Sequence, residues 1–258
     1  MQMKKKYKKG LALSGGGARG VAHLGAARAL YEEGHSFDVI IGTSMGAIVG
    51  CLLADSLQPE EIMKILTPKI LKTFIRPEIS KNGMMTMRGA HLILDGLLKT
   101  KNIEDLPIPF IATVTNLTSG KSEYIKSGNI IDAVLASASI PVVFPPMEIN
   151  GKQYIDGGVL NNLPVRYIRP SCEKIAGFHV NPRTLGLHNG NVKGIAEIAE
   201  RSFHLCMLGN VIPDIAMCDF YLEHANLNEF SMLGFERAHE IYKRGYSNTK
   251  QALKKQPF

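Results

Sequence analysis

A serine framed by glycines, Gly42-Thr43-Ser44-Met45-Gly46, follows the apolar run Val39-Ile40-Ile41. A strand that turns sharply into a helix at such a string lifts one hydroxyl clear of the sheet, as in a nucleophile elbow. Gly42 and Gly46 keep Cβ atoms out of the tight turn and tolerate strained angles. Later in the chain, Asp156-Gly157-Gly158 follows Tyr154-Ile155. A serine hydroxyl is a poor nucleophile until a base takes its proton. A carboxylate left uncrowded by Gly157 and Gly158 is suited to that task. A third string, Gly15-Gly16-Gly17-Ala18-Arg19-Gly20, comes after the strand-like Gly10-Leu11-Ala12-Leu13-Ser14. Its backbone N–H groups, at the start of a helix, would cradle an anion. Arg19 either adds positive charge beneath that loop or pairs with a carboxylate. Nucleophile, carboxylate and anion cradle together describe a hydrolase.

Two other chemistries compete for the same residues. The loop at 15–20 also fits G-x-G-x-x-G between a strand and a helix, the fingerprint of a dinucleotide site. That fingerprint needs an acid at the end of the second strand to hold a ribose. Asp38 has about the right spacing but precedes its strand. A Ser-His-Asp triad would need a histidine late in the chain, and His188 and His224 are the formal candidates, though neither sits in a supporting motif. No His, Cys and carboxylate cluster implies a metal, and no cofactor is expected.

Strand patterns alternate with helical ones along the chain, which predicts a three-layer α/β/α sandwich around a mostly parallel sheet. A strand at 11–13 enters the Gly-rich loop, a helix spans about 20–33 and stops at Gly34, and a strand at 37–41 leads to Ser44. Ser44 opens a helix apolar enough to be central. Gln58-Pro59-Glu60-Glu61 starts another helix. Between Lys72 and Gly96 the pattern blurs around Met84, Met85 and Met87, which either pack as core or line an adaptable apolar pocket. Strands at 109–116 and 122–126 flank a turn, and a short helix at 132–138 ends before Pro141. Residues 147–155 read as a hairpin turning at Asn150-Gly151, which would put Asp156 at the end of a rigid strand. Strands at 174–180 and 217–222 and an amphipathic helix at 235–254 follow.

The chain has 258 residues, 45% of them hydrophobic and 21% charged, enough for one sizeable core. Residues 1–9 form a basic tail, 10–166 the catalytic core, and 167–258 strands and helices that complete the same domain. The net charge of +7 is partly that tail, with Lys4, Lys5, Lys6, Lys8 and Lys9. It serves as a solvated arm or as a weak attraction to anionic lipid. No apolar run suits a signal peptide or a membrane span. Cys51, Cys172, Cys206 and Cys218 lack metal-type spacing and read as buried free thiols, which suits a cytoplasmic protein. No nucleic-acid module is recognisable, and the oligomeric state is left open.

The chain resembles the patatin-like phospholipases. The resemblance rests on the three strings above, on Ala136-Ser137-Ala138-Ser139-Ile140-Pro141 with Phe144-Pro145-Pro146, and on Gly158-Val159-Leu160-Asn161-Asn162-Leu163-Pro164. It implies a serine lipid acyl hydrolase with a catalytic dyad and no catalytic histidine. Ser44 would be the nucleophile, Asp156 the general base, and the backbone of Gly15, Gly16 and Gly17 the oxyanion hole. The substrate would be a phospholipid, lysophospholipid or similar acyl lipid, and the basic tail, if it draws the chain to anionic lipid, would make contact with the membrane peripheral. An acyl-thioesterase running on the same dyad is the nearest alternative, and a nucleotide-binding oxidoreductase the more distant one.

Overall fold

The computed structural model describes residues 5–73, 76–77, 85–182, 194–232 and 234–258. Strand β1 (Tyr7–Leu13) leads through a 3-10 turn at Gly17–Val21 into α1 (Ala22–Glu32). Strand β2 (Val39–Thr43) runs directly into α2 (Met45–Ala54), and α3 (Pro59–Ile65) and α4 (Pro68–Leu71) follow. A small ribbon pairs β3 (Arg76–Pro77) with β4 (Met85–Thr86) ahead of α5 (Arg88–Leu97). Then come β5 (Phe110–Asn116), β6 (Lys121–Ile125), α6 (Ile130–Ser137), β7 (Met147–Ile149) and β8 (Lys152–Asp156). The chain closes with α7 (Val165–Ile168), β9 (Cys172–His179), α8 (Ile195–Ile215), β10 (Phe220–Glu223) and α9 (Ala238–Lys255).

The main sheet has the order β10-β9-β1-β2-β5-β8-β7, with β6 also on β5. Pairings from β10 to β5 are parallel, and β6, β7 and β8 are antiparallel to their neighbours. The sheet is therefore mixed, parallel over its main body. Its central strands are buried on both faces, which explains their unbroken apolar runs. Leu11, Leu13 and Ile40 point into one core with α1, α2 and α9. Their neighbours Ala12, Val39 and Ile41 point into a second, with Leu163, Val165 and Val211. That division is the three-layer sandwich. Helix α2 is buried along its whole length, as its composition demands. Helices α1 and α9 touch backbone to backbone: a Cβ on Gly25 would strike the Tyr242 carbonyl, and one on Gly245 the Ala22 carbonyl. The β7–β8 hairpin turns at Asn150 and Gly151 with φ of 52° and 73°, the left-handed pair that a two-residue Asn-Gly turn requires.

Several elements differ from expectation. Strand β1 begins at Tyr7, inside the stretch that reads as tail, because Asp38 Oδ2 accepts hydrogen bonds from the backbone N–H groups of Lys8 and Lys9 at 2.9 and 2.8 Å. Lys9 is further held by the Phe258 ring and by His35. All four cysteines are free thiols, but Cys206 is exposed and Cys218 only half-buried. Helix α8 has no counterpart in the sequence reading. It buries Phe203, Met207 and Val211 while leaving Ile198, Leu205 and Ile212 exposed, so apolar residues surround it and no amphipathic stripe marks it. Met84 lies outside the described residues, whereas Met85 and Met87 pack against a core of Ile140, Phe144 and Met207. Among the described residues no helix is long and apolar enough to cross a membrane. No group of three or more His, Cys, Asp or Glu side chains among them is placed to hold a metal ion.

Candidate active site

Ser44 joins β2 to α2 with φ 55° and ψ −125°. Such angles are costly for a residue with a side chain and persist only when neighbours over-determine them. The neighbours here are specific. The Ser44 N–H donates to Ser137 Oγ at 2.9 Å, and that hydroxyl donates on to the Thr113 carbonyl at 2.6 Å. Thr43 Oγ1 donates to the Asn161 carbonyl at 3.0 Å. A Cβ on Gly42 would strike the Gly46 carbonyl, and one on Gly46 the carbonyls of Leu13 and Ser14. The flanking glycines thus serve close approach, and neither has a positive φ; the backbone strain expected of them falls on Ser44 itself.

Asp156 reaches the same place from the other direction. Strand β2 runs up β5 and ends with Thr43 opposite Thr113. Strand β8 runs down β5 and ends with Asp156 opposite Val114. The two strands meet nearly head to head, and Gly157 makes the next step possible because a Cβ there would strike the Thr113 carbonyl. Asp156 is fully buried. Its N–H donates to the Ser139 carbonyl at 2.9 Å, and its Oδ1 accepts from the Gly158 N–H at 2.7 Å. Burial pushes its carboxyl up to about 7, against the smaller opposing pulls of the Ser44 hydroxyl and the Gly158 N–H. The hydroxyl therefore lies within electrostatic reach of the carboxyl, yet Oδ2 has no hydrogen bond of ordinary geometry. Catalytic hydrogen bonds are often long before substrate arrives and tighten afterwards.

The Gly-rich loop crosses beside Ser44. A Cβ on Gly15 would stand 2.9 Å from Ser44 Cβ. The three glycines expected to form the donor set, Gly15, Gly16 and Gly17, differ in what their N–H groups do. The Gly15 N–H is already committed to Asn162, both to Oδ1 at 3.1 Å and to the carbonyl at 3.3 Å. The N–H groups of Gly16 and Gly17 have no acceptor among the described residues. Gly17 has φ +56° and packs so closely on the Met232 carbonyl that no Cβ fits. Arg19 is buried beneath the loop, where Nε donates to the Phe230 carbonyl at 2.7 Å and Nη1 to Asn181 Oδ1 at 3.1 Å. Asn181 in turn donates to the Gly15 carbonyl at 2.8 Å. Gly20 abuts Met45, the residue after the nucleophile candidate.

Ser44 opens onto a cleft lined by Gly17, Met45, Ile48, Met87, Phe144 and Phe235 among others. Apart from the serine the lining is apolar, which suits an acyl chain. Ser137, Ser139, Asn161 and Asn162 support the site and were visible in the sequence only as parts of longer strings. Asn210, on the unexpected helix α8, donates to the Gly158 carbonyl at 2.8 Å and accepts from the Asn162 N–H at 2.8 Å.

The competing histidines and the acid are elsewhere. His224 follows β10, three strands from β2 and so about 14 Å away laterally. It is buried against Phe178, and burial lowers it to about 3. His188 lies outside the described residues. Asp38 sits at the opposite end of β2 from Ser44, bonded to β1, so no acid ends the second strand as a ribose would need.

The Asp156 carboxyl binds its proton more tightly folded than unfolded, since it moves from 3.8 to about 7. Its effect on stability is nil below about 4 and grows into a cost as pH rises toward 7. Asp156→Asn should therefore match wild type near pH 4 and exceed it at pH 8, by on the order of 1–4 kcal/mol in denaturant titrations. His23, lowered to about 4 by burial, and His224 oppose this trend. They bind protons less well when folded, so both proteins lose stability as pH falls below 6.5, and the effect cancels in the comparison. A variant no more stable than wild type at pH 8 would contradict the desolvated carboxyl.

Residues 11–168 match the family model for patatin-like phospholipases. An uncharacterised NTE family protein of Mycobacterium tuberculosis is 37% identical over 195 residues, 74% of this chain and 51% of that protein. The lysophospholipase NTE1 of Saccharomyces cerevisiae is 35% identical over 178 residues, 66% of this chain and 11% of its own. The chain thus spans about half the length of the mycobacterial relative. Among solved structures, VipD of Legionella pneumophila matches with a TM-score of 0.56 at 17% identity, over 97% of this chain and 67% of that one, a likeness of fold. With its glycine-rich loop, serine turn and aspartate segment all inside the matched residues, the chain belongs to the patatin-like phospholipase family.

Proposed function

We propose that this protein is a serine-dependent lipid acyl hydrolase that cleaves carboxylic esters of phospholipids or lysophospholipids through a Ser44–Asp156 dyad. The observation that carries the reading is a hydroxyl on a strained elbow, beside a buried carboxyl held at about 7, at the mouth of an apolar cleft. The name of the yeast relative, a lysophospholipase, supports the lipid class. Ser44 Oγ attacks the acyl carbonyl carbon as its proton passes to the Asp156 carboxylate. The resulting oxyanion lies against the N–H groups of Gly16 and Gly17. When the tetrahedral intermediate collapses, the C–O bond to the alcohol breaks and Asp156 returns the proton to the leaving oxygen. A water then attacks acyl-Ser44, gives its proton to Asp156, and the fatty acid departs as Ser44 regains its hydrogen.

Ser44→Ala and Asp156→Asn should each reduce ester hydrolysis to background while melting cooperatively. The double variant should lose no more, because the two groups act as one unit. His224→Ala should stay within about tenfold of wild type, roughly 1.4 kcal/mol of barrier. A histidine variant as inactive as Ser44→Ala would replace the dyad with a triad.

Lys5, Lys6 and Lys8 are exposed at the start of the chain, and we place the protein in the cytoplasm at an anionic membrane surface. Replacing Lys4, Lys5, Lys6 and Lys8 with Gln spares Lys9, which packs on Phe258. It should weaken cosedimentation with phosphatidylserine vesicles at low salt, and the difference should vanish at high salt as screening shortens. Turnover of a soluble short-chain ester should be unchanged. Equal cosedimentation of both proteins at low salt would dismiss the lysines as a lipid contact.

A further inference from the structure

Asn162 is fully buried and bonds the Gly-rich loop from the segment that follows Asp156. Its side-chain and main-chain oxygens share the Gly15 N–H at 3.1 and 3.3 Å, across 147 residues of sequence. The point where a Gly15 Cβ would stand is 2.6 Å from Asn162 Oδ1 and 2.9 Å from Ser44 Cβ. The point where a Gly158 Cβ would stand is 3.0 Å from Asp156 Oδ1 and 3.1 Å from Asn162 Oδ1. One oxygen therefore lies between the nucleophile, the carboxyl and the Gly-rich loop. The orientation of the amide is fixed, because only an oxygen can accept from the Gly15 N–H.

The residue is itself held. Its N–H donates to Asn210 Oδ1, and Asn210 Nδ2 reaches back to the Gly158 carbonyl. Asp156 and Asn162 thus belong to one segment pinned to α8. The other half of the amide has no such use: Nδ2 is buried with no hydrogen-bond partner. A buried donor left unmade is a net expense to the fold. Stability alone would be better served by an apolar side chain, so the amide is explained by what its oxygen does.

We infer that Asn162 is the positioning residue of this site, clamping Gly15 so that the Gly16 and Gly17 N–H groups face the carbonyl attacked by Ser44. The inference rests on the dyad reading and adds to it the part that couples the base segment to the oxyanion loop. Removing the clamp lets the loop shift, and misplacing oxyanion donors lowers the chemical step without weakening substrate binding.

Two variants test it on a soluble short-chain ester. Asn162→Ala should lower kcat at least tenfold with KM within about twofold, and without moving the pH at which activity appears. Asn162→Asp keeps an acceptor for the Gly15 N–H, but sets a second carboxylate beside Asp156, and like charges that close raise a carboxyl pKa. Its acid limb should therefore move up by about one pH unit or more, with activity regained above it. The groups that already bear on Asp156 are the Ser44 hydroxyl and the Gly158 N–H. The charges on packed elements, Arg19 bonded to Asn181 and the Arg166–Asp214 ion pair, are the same in all three proteins. Should Asn162→Ala fail to fold, Asn162→Asp carries the test: above the shifted limb its retained acceptor should return kcat to within about threefold of wild type with KM unchanged, and a kcat still about tenfold down there would contradict the clamp. Wild-type kcat in Asn162→Ala, or an unmoved acid limb in Asn162→Asp, overturns the inference and leaves the dyad intact. A wild type with no esterase activity overturns both.

Discussion

Strands β2 and β8 approach each other along β5 and stop at adjacent positions, Thr43 opposite Thr113 and Asp156 opposite Val114. The site depends on that meeting. It brings a hydroxyl and a carboxyl together from segments far apart in the chain, and it does so with sheet hydrogen bonds, whose spacing is rigid. Gly157 then turns away over the Thr113 carbonyl, where any side chain would collide. The same carbonyl accepts from Ser137, which holds the Ser44 N–H. One residue of β5 thus fixes both partners.

Burial sets the chemistry. A carboxylate removed from water and given few hydrogen bonds holds its proton too tightly, and Asp156 rises to about 7 for that reason. A base poised near neutral pH accepts a proton from serine and returns it to a leaving group with little mismatch in either direction. A well-solvated aspartate would be ionised but a much weaker base. The cost is carried by the fold: the strained Ser44 backbone, the desolvated carboxyl and the unpaired Asn162 Nδ2 are all destabilising features gathered at one place. Apolar cores on both faces of the sheet offset them, each buried large aliphatic contributing about 1.5–3 kcal/mol.

The legible parts of the site were the local ones. The run Val39-Ile40-Ile41 into Gly42-Thr43-Ser44-Met45-Gly46 specifies strand, turn and helix within a few residues, and Asn150-Gly151 specifies the hairpin that delivers Asp156. Contacts across the fold were not legible. Nothing near Gly15 indicates that its N–H is taken by Asn162, and nothing near Ser137 points to the Ser44 N–H. Helix α8 escaped because exposed Ile198, Leu205 and Ile212 hide the buried stripe of Phe203, Met207 and Val211. The start of β1 is hidden for a similar reason: lysines suit solvent, yet Asp38 holds the backbone of Lys8 and Lys9 at the sheet.

The central claim is that Asp156, at about 7, activates Ser44, and the rate of covalent labelling by a fluorophosphonate measures it most directly. Intact mass followed over time from pH 5 to 9 should show one adduct per chain, located on Ser44. Its rate should rise through an apparent pKa of about 7 and fall to background in Asp156→Asn. A labelling rate that is flat across that range, that survives in Asp156→Asn, or that belongs to another residue would contradict the account.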